Sequence, residues 1–299
     1  MPTARVAPTP RPAPGRLLRC LAALLVLSVG GARCLAQGSR APFGGSLFTT
    51  PAQAAAGEED DIKPSRPSVS NPAEIQKPGV LQLEFGYDAN FRARDVRLDQ
   101  TASMSLRYAA SKRLLLEVDL DALKSETDAQ TRTRMTSVGD THVGFQLVAL
   151  EDTAEHPALA FAYYVKLPTA DEGKGLGSGR FDHKLVTLVS RKFGGTDVDF
   201  NAAYLLVGRE GAGGWLHGGQ GALDLSRDIG ERYGFEAEVS GQSVDESLPR
   251  GVFALGALHY RANRRLALDA GARVGLTHDA PRVGLFAGAT VGLTRPREK

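Results

Sequence analysis

The chain has 299 residues, with 36 Lys and Arg against 34 Asp and Glu and a formal net charge of +2. A balance this close to neutral gives no electrostatic reason for a nucleic-acid partner, and the length allows one large domain or two small ones. Only two cysteines occur, Cys20 and Cys34, so a chain cut after residue 36 carries neither a disulfide nor a cysteine metal site.

Residues 1–36 read as a secretory signal peptide. Arg5, Arg11, Arg16 and Arg19 make a basic start, and Leu21 to Val29 is an apolar run too short to span a bilayer comfortably. Cys34 and Ala36 put small residues at the −3 and −1 positions, which places the cut after Ala36. Arg19 and Arg33 stand before the cysteines, where a lipoprotein cut wants a small residue. No other apolar run is long enough for a membrane helix, so a chain that enters a membrane after export must do so with strands.

Residues 37–78 are rich in Ala, Pro, Ser and Gly and show no sustained period. Such a composition buries too little apolar surface to offset the entropy of ordering, so the expectation is a flexible leader. Its acid run, Glu58 to Asp61, reads as a solvated charge cluster.

About twelve strand-like segments follow from Gly79. Leu81, Leu83, Phe85 and Tyr87 alternate with Gln82, Glu84 and Gly86; Leu114, Leu116, Val118 and Leu120 alternate with Leu115, Glu117, Asp119 and Asp121. Thr141, Val143, Phe145 and Leu147 alternate with His142, Gly144 and Gln146, and Tyr233, Phe235, Ala237 and Val239 with Gly234, Glu236, Glu238 and Ser240. The sixth segment, around His183 to Arg191, and the eighth, about Trp215 to Ser226, have no clear phase. The last two repeat the pattern at Leu266–Leu276 and Val283–Leu293. A period of two sets one face of each strand against an apolar phase and the other against something polar.

A soluble sandwich alternates in the same way, so the period leaves both architectures open. Loop lengths separate them. Connections after even-numbered segments are short, as at Ala110–Arg113, Phe193–Thr196 and Arg261–Arg264; those after odd-numbered ones are mostly longer, as at Lys124–Thr136, Pro168–Arg180 and Gln242–Arg250. Short turns at one end and long loops at the other are the habit of an outer-membrane barrel with its termini on the periplasmic side. Tyr108, Tyr233 and Tyr260 sit at strand ends beside the short turns with the apolar parity, as an interfacial girdle would place them.

Certain short motifs add a resemblance. Gly139-Asp-Thr-His-Val-Gly-Phe145, then Pro157-Ala-Leu-Ala-Phe161, Lys166-Leu-Pro-Thr-Ala-Asp171 and Gly175-Leu-Gly-Ser-Gly179 look like the outer-membrane β-barrel family of the MetA-pathway of phenol degradation type. Ala170 stands where that family usually has Gly. The resemblance covers roughly Gly79 to Thr294, and Lys166, Pro168, Thr169, Asp171, Gly175, Gly177 and Gly179 carry its loop motif. It implies a barrel in the cell outer membrane of a Gram-negative organism that passes small, hydrophobic or aromatic, compounds. The partners so implied are outer-membrane lipid, a small-molecule solute and the barrel insertion machinery. Such barrels usually end in an aromatic residue; Leu293 stands in that place here, before a short basic tail.

Candidate chemistry is sparse. Glu117, Asp119 and Asp121 share one strand face at a spacing of roughly 6.6–7 Å. That would suit paired carboxylates for hydrolysis, or equally a hydrated wall facing Arg107 and Arg273. His142 lies near Asp140, but twelve-stranded outer-membrane phospholipases carry a H-x-S-N-G-like segment that neither His142 nor His217 matches. Gly173 to Gly179 lacks the helix a phosphate cradle opens, and the six His show no H-x-x-H spacing.

The expectation is therefore all-β: a single antiparallel transmembrane β-barrel of about twelve strands at residues 79–299, with no enzymatic activity, cofactor or metal. Its lumen would be lined by Glu84, Arg107, Glu117, Asp119, Asp121, His142, Asp199, Glu236, Glu238, Asp269 and Arg273. Alternatives are a non-conducting structural or binding barrel and a soluble periplasmic β-protein.

Overall fold

The computed structural model describes residues 61–296 except 94, 210–212 and 247; residues 1–36, expected to be a signal peptide, and residues 37–60 of the expected leader lie outside the described residues. The strands are β1 (Leu81–Ala93), β2 (Val96–Ala109), β3 (Leu114–Asp128), β4 (Arg134–Ser137), β5 (Thr141–Leu150), β6 (Ala158–Leu167) and β7 (Asp182–Phe193). They continue as β8 (Thr196–Gly208), β9 (Trp215–Ile229), β10 (Tyr233–Gln242), β11 (Gly251–Asn263), β12 (Leu266–Gly275) and β13 (Val283–Gly292).

All pairings are antiparallel, and each strand from β5 on pairs with the next. One edge of β3 bonds β5 over Leu114–Leu120 and the short β4 over Lys124–Thr127, so β4 and β5 share one place in the wall. The β2–β3 and β1–β13 pairings then close twelve positions into a barrel. Closure removes the free edges that a hydrocarbon phase would leave unsatisfied. Apart from β4, the strands run from 10 to 15 residues, long enough to cross the roughly 30 Å apolar layer when tilted.

The two-residue period sorts the wall as expected. Phe85, Leu116, Leu147, Phe161, Leu185, Phe200, Leu225, Val239, Leu258, Leu268 and Leu285 point outward and are exposed, while Glu84, Glu117, Gln146, Asp199, Asp224 and Glu238 on the same strands are buried inside. An apolar belt around a charged interior is stable only with lipid outside. The unclear phase of the sixth segment has a local cause. In β7 the inner face is also apolar: Val186 and Leu188 pack on Ala158, Ala160, Ala162 and Tyr164 of β6, so both faces read alike. A second inner apolar cluster joins Leu255, Ala257 and Phe286.

Outward aromatic residues collect at both rims. Tyr233 and Tyr260 face each other across β10 and β11 near the short turns, ring centres 5.2 Å apart. Toward the long loops, Tyr163, His183 and Trp215 pack in sequence, with centroids 6.1 and 5.1 Å apart. The sequence reading found the first rim only.

The leader expectation needs correction. Residues 61–80 run inside the barrel, with Ile62, Ser70, Ala73, Gln76 and Val80 buried. Asp61, the last of the acid run, is not a solvated charge: it is buried and pairs with Lys77 at 3.4 Å and Arg264 at 3.2 Å. The segment has no period because its main chain bonds to side chains of the wall and joins no strand ladder. Its four prolines, Pro64, Pro67, Pro72 and Pro78, suit it to this, since each narrows the unfolded ensemble of a chain held extended.

Candidate functional site

The site is the barrel interior, built from three layers: the charged wall, the inserted segment and the outer loops. The wall is densest where β1, β2 and β3 meet. Register sets Arg107 opposite Gln82 on one side and Glu117 on the other. Arg107 is fully buried, its Nη1 3.2 Å from Glu84 Oε1 and its Nε 3.6 Å from Glu117 Oε2. Tyr164 donates its hydroxyl to Glu117 Oε2 at 3.2 Å, lying over Gly144, where a Cβ would stand 2.3 Å from the ring. Arg107 thus sits in a packed ionic core and leaves no free surface to a passing solute.

Further along β3, Asp119 and Asp121 are half-buried and border a cavity of about 630 Å³ at the long-loop end. His142, opposite Asp119 in the ladder, borders it too. All three acids border the cavity, but the row is divided: Glu117 is buried and paired with Arg107, and the other two are half-buried and more open to the cavity. Arg273 pairs with Asp88 at 3.7 Å, not with that row, and lies over the Phe286 ring. Asp269 faces Arg66 at 3.7 Å, Glu236 accepts from His259 Nε2 at 2.7 Å, and Asp199 accepts from the Ser190 hydroxyl. Glu238 accepts the Ser70 main-chain N–H at 2.6 Å.

That last contact belongs to the inserted segment. Ser65 donates its N–H and its hydroxyl to Glu84, at 3.1 and 2.9 Å. Asn71 and Asn201 exchange two hydrogen bonds at 2.8 Å, and Ala73 donates its N–H to Ser190 Oγ at 2.7 Å. Gln146 Nε2 donates to the carbonyls of Pro72 and Ala73 at 3.0 Å. A second cavity, of about 560 Å³, lies on the short-turn side and is bordered by Lys63, Asp199, Asp224 and Glu236. Arg66 and Ser68 border both cavities. Arg66, Gln146 and Asn201 were missed because the sequence reading took charges on strands as its signal. Neutral amides on the inner parity, at Gln82, Gln146, Asn201, Gln220 and Gln242, were the cue available.

The loop motif folds into a small structure of its own. Lys166, at the end of β6, bonds Asp182 and Ser178 Oγ (3.0 Å) and lies 3.5 Å from Asp140. Asp140 accepts the Ala170 N–H at 3.0 Å, and Thr169 donates to the Gly139 carbonyl at 3.1 Å. Pro168 has no N–H to continue the ladder, so the chain leaves the wall there. Asp171 opens a 3-10 turn, Glu172–Lys174, which Gly175 ends at φ 70. A Cβ at Gly177 would lie 2.5 Å from that of Ala170, and Gly179 is held at φ 61. The segment of residues 173–179 is folded back on itself, with Leu176 buried. The motif's separated pieces are thus one unit, centred on Lys166 between Asp140 and Asp182.

Lys124–Thr136 forms the β3–β4 hairpin. A different loop, Ser243–Arg250, reaches inward: Glu246 Oε1 lies 3.3 Å from His142 Nε2, five strands round the wall from β10. Leu248 and Pro249 border the larger cavity. His142 therefore has an acid partner from a loop, and His217 bonds Tyr204 OH on the outer face; among the described residues neither is hydrogen-bonded to a serine hydroxyl.

A family model described as "Putative MetA-pathway of phenol degradation" matches residues 65–293. The chain belongs to that family. The match begins inside the inserted segment, so this phenol-degradation family model covers most of the plug as well as the wall. Among solved structures, the barrel is similar to an outer membrane channel from Pseudomonas putida F1, with 13% identity, a TM-score of 0.57, and coverage of 75% of this chain and 99% of that one. It is also similar to the CymD monoaromatic hydrocarbon channel, at 11% identity, TM-score 0.41 and 74% and 90% coverage. The outer membrane phospholipase A of Escherichia coli is similar at 12% identity, TM-score 0.41 and 73% and 98% coverage. No curated protein matches the sequence. The fold is a closed twelve-position antiparallel β-barrel, similar to that of the Pseudomonas putida F1 outer membrane protein.

Proposed function

We propose that the barrel passes a small hydroxylated aromatic solute across the outer membrane. The observation that supports this most is the interior: two cavities of about 630 and 560 Å³ in line along one closed lumen. Each is large enough for a single-ring compound. The outer cavity combines carboxylates at Asp88, Asp99, Asp119 and Asp121 with apolar surface from Val69 of the inserted segment and Leu248 and Pro249 of the inward loop. A phenolic O–H donates to a carboxylate while its ring takes the apolar side. The family description, which names phenol degradation, agrees with such a solute.

Planar-bilayer recording tests it. The refolded full chain should give discrete conductance steps in KCl, and millimolar catechol should shorten them. A second reading, a barrel that does not conduct, is favoured by the inserted segment, which stands between the two cavities. A flat trace under all conditions supports that reading and removes the first.

A further inference from the structure

The inserted segment is held unevenly. Its ends are secured: Ile62 and Ala73 are buried, Asp61 is paired twice, and the bonds at Ser70, Asn71 and Ala73 lie between 2.6 and 2.8 Å. Its middle is held more lightly. Pro67 is buried, but Pro64, Ser65, Arg66, Ser68 and Val69 are half-buried, and the span is bonded to the wall by Ser65, at Glu84, and by the long contacts of Arg66. This middle span is the part that borders both cavities, so it forms the partition between them.

Two residues fasten the partition: Ser65, through its two bonds to Glu84, and Arg66. The Arg66 guanidinium lies in a slot made by Gly86 of β1 and Gly288 of β13, which face each other in the ladder. A Cβ at Gly86 would stand 1.8 Å from Arg66 Nη1, and one at Gly288 would stand 2.5 Å from Nε, so the slot exists because both residues are glycine. Around it stand Ser103 Oγ at 3.4 Å, Asp269 at 3.7 Å and Asp88 at 3.8 Å, while Nε has no hydrogen-bond partner among the described residues. These distances are long for ion pairs, beyond the usual 2.7–2.9 Å of a charge-assisted bond. The fastening is strong enough to place the side chain and loose enough to release it.

We propose that residues 64–69 are the gate of the channel and that Arg66 is its latch. Release of the guanidinium from the Gly86–Gly288 slot, followed by parting of the Ser65–Glu84 bonds, lets the span swing away from β1 and β13 and joins the two cavities into one path. Its tethers at Ile62 and Ser70–Ala73 stay bound. The change is local because no strand ladder has to break: the wall groups that the span leaves are rehydrated by the water that enters. Arg66 acts by positioning the span. The proposal rests on the channel reading above.

The test uses the full chain in planar bilayers. Arg66→Ala should raise open probability roughly tenfold, the effect of losing two long ion pairs and one weak hydrogen bond, and Arg66→Lys should fall between it and the parent. A lock gives a second arm. In a chain with Cys20→Ser and Cys34→Ser, Ser65→Cys and Glu84→Cys replace side chains that touch at 2.9 Å. Bridged by a short bifunctional thiol reagent, this pair should silence the channel; left unbridged, it should conduct. Equal open probability in Arg66→Ala and parent, or equal conductance with and without the bridge, overturns the gate and leaves the channel standing. Silence in every form, including one lacking residues 61–72, overturns the channel reading itself.

Discussion

Arg107→Ala is the most demanding perturbation of this wall. Arg107 has no exposure, lies 3.2 Å from Glu84 and 3.6 Å from Glu117, and donates to the Lys63 carbonyl of the inserted segment at 2.9 Å. Truncation leaves two carboxylates inside the wall with no cation. An exposed pair would cost under about 1 kcal/mol to break. A buried one costs about 3–5 kcal/mol, because the remaining charge has lost its hydration as well as its partner. Urea titration of the chain folded into phospholipid vesicles, read by the gel shift of the closed barrel, measures the difference. At an m of roughly 2 kcal/mol/M, the midpoint should fall by about 1.5–2.5 M. Arg107→Met combined with Glu84→Gln and Glu117→Gln removes all three charges and should recover most of the loss, leaving about 1–2 kcal/mol for the hydrogen bonds to the inserted segment. A fall below about 0.5 M for the single variant would mean that water reaches the cluster, and the packed ionic core would be wrong.

Three further outcomes follow from the same geometry. Leu258→Arg, on the outer face of mid-β11, should cost about 2–4 kcal/mol in lipid vesicles if that face meets hydrocarbon; an unchanged urea midpoint would contradict the lipid belt. Gly144→Val drives a side chain into Tyr164 and the Tyr163 carbonyl, and should lower stability by about 1–3 kcal/mol by the same titration. Lys166→Met leaves Asp140 and Asp182 facing each other above the wall. It should open Pro168–Arg180 to limited proteolysis while the strands stay protected, and equal cleavage in variant and parent would refute its role as the loop's centre.

How much could be read in advance depended on whether a contact leaves a periodic trace. Alternation along β1, β3, β5, β10, β12 and β13 determined which face meets lipid, because side chains on a strand project to opposite sides in strict turn. The sorting of short and long connections determined which end carries the loops, and the scattered Gly-Asp, Lys-Leu-Pro-Thr and Gly-Leu-Gly-Ser pieces determined the family. Tertiary structure alone decided what fills the lumen. Ala73 meets Ser190 across 117 residues and Ser70 meets Glu238 across 168, through single main-chain to side-chain bonds that impose no repeat on either partner. It also decided which charges are spent on one another, as at Arg107, and which border open space, as at Asp119 and Asp121. A sequence shows that a residue points inward; only the closed wall shows what it meets there, because inward side chains from strands far apart in the chain converge on the same few ångströms.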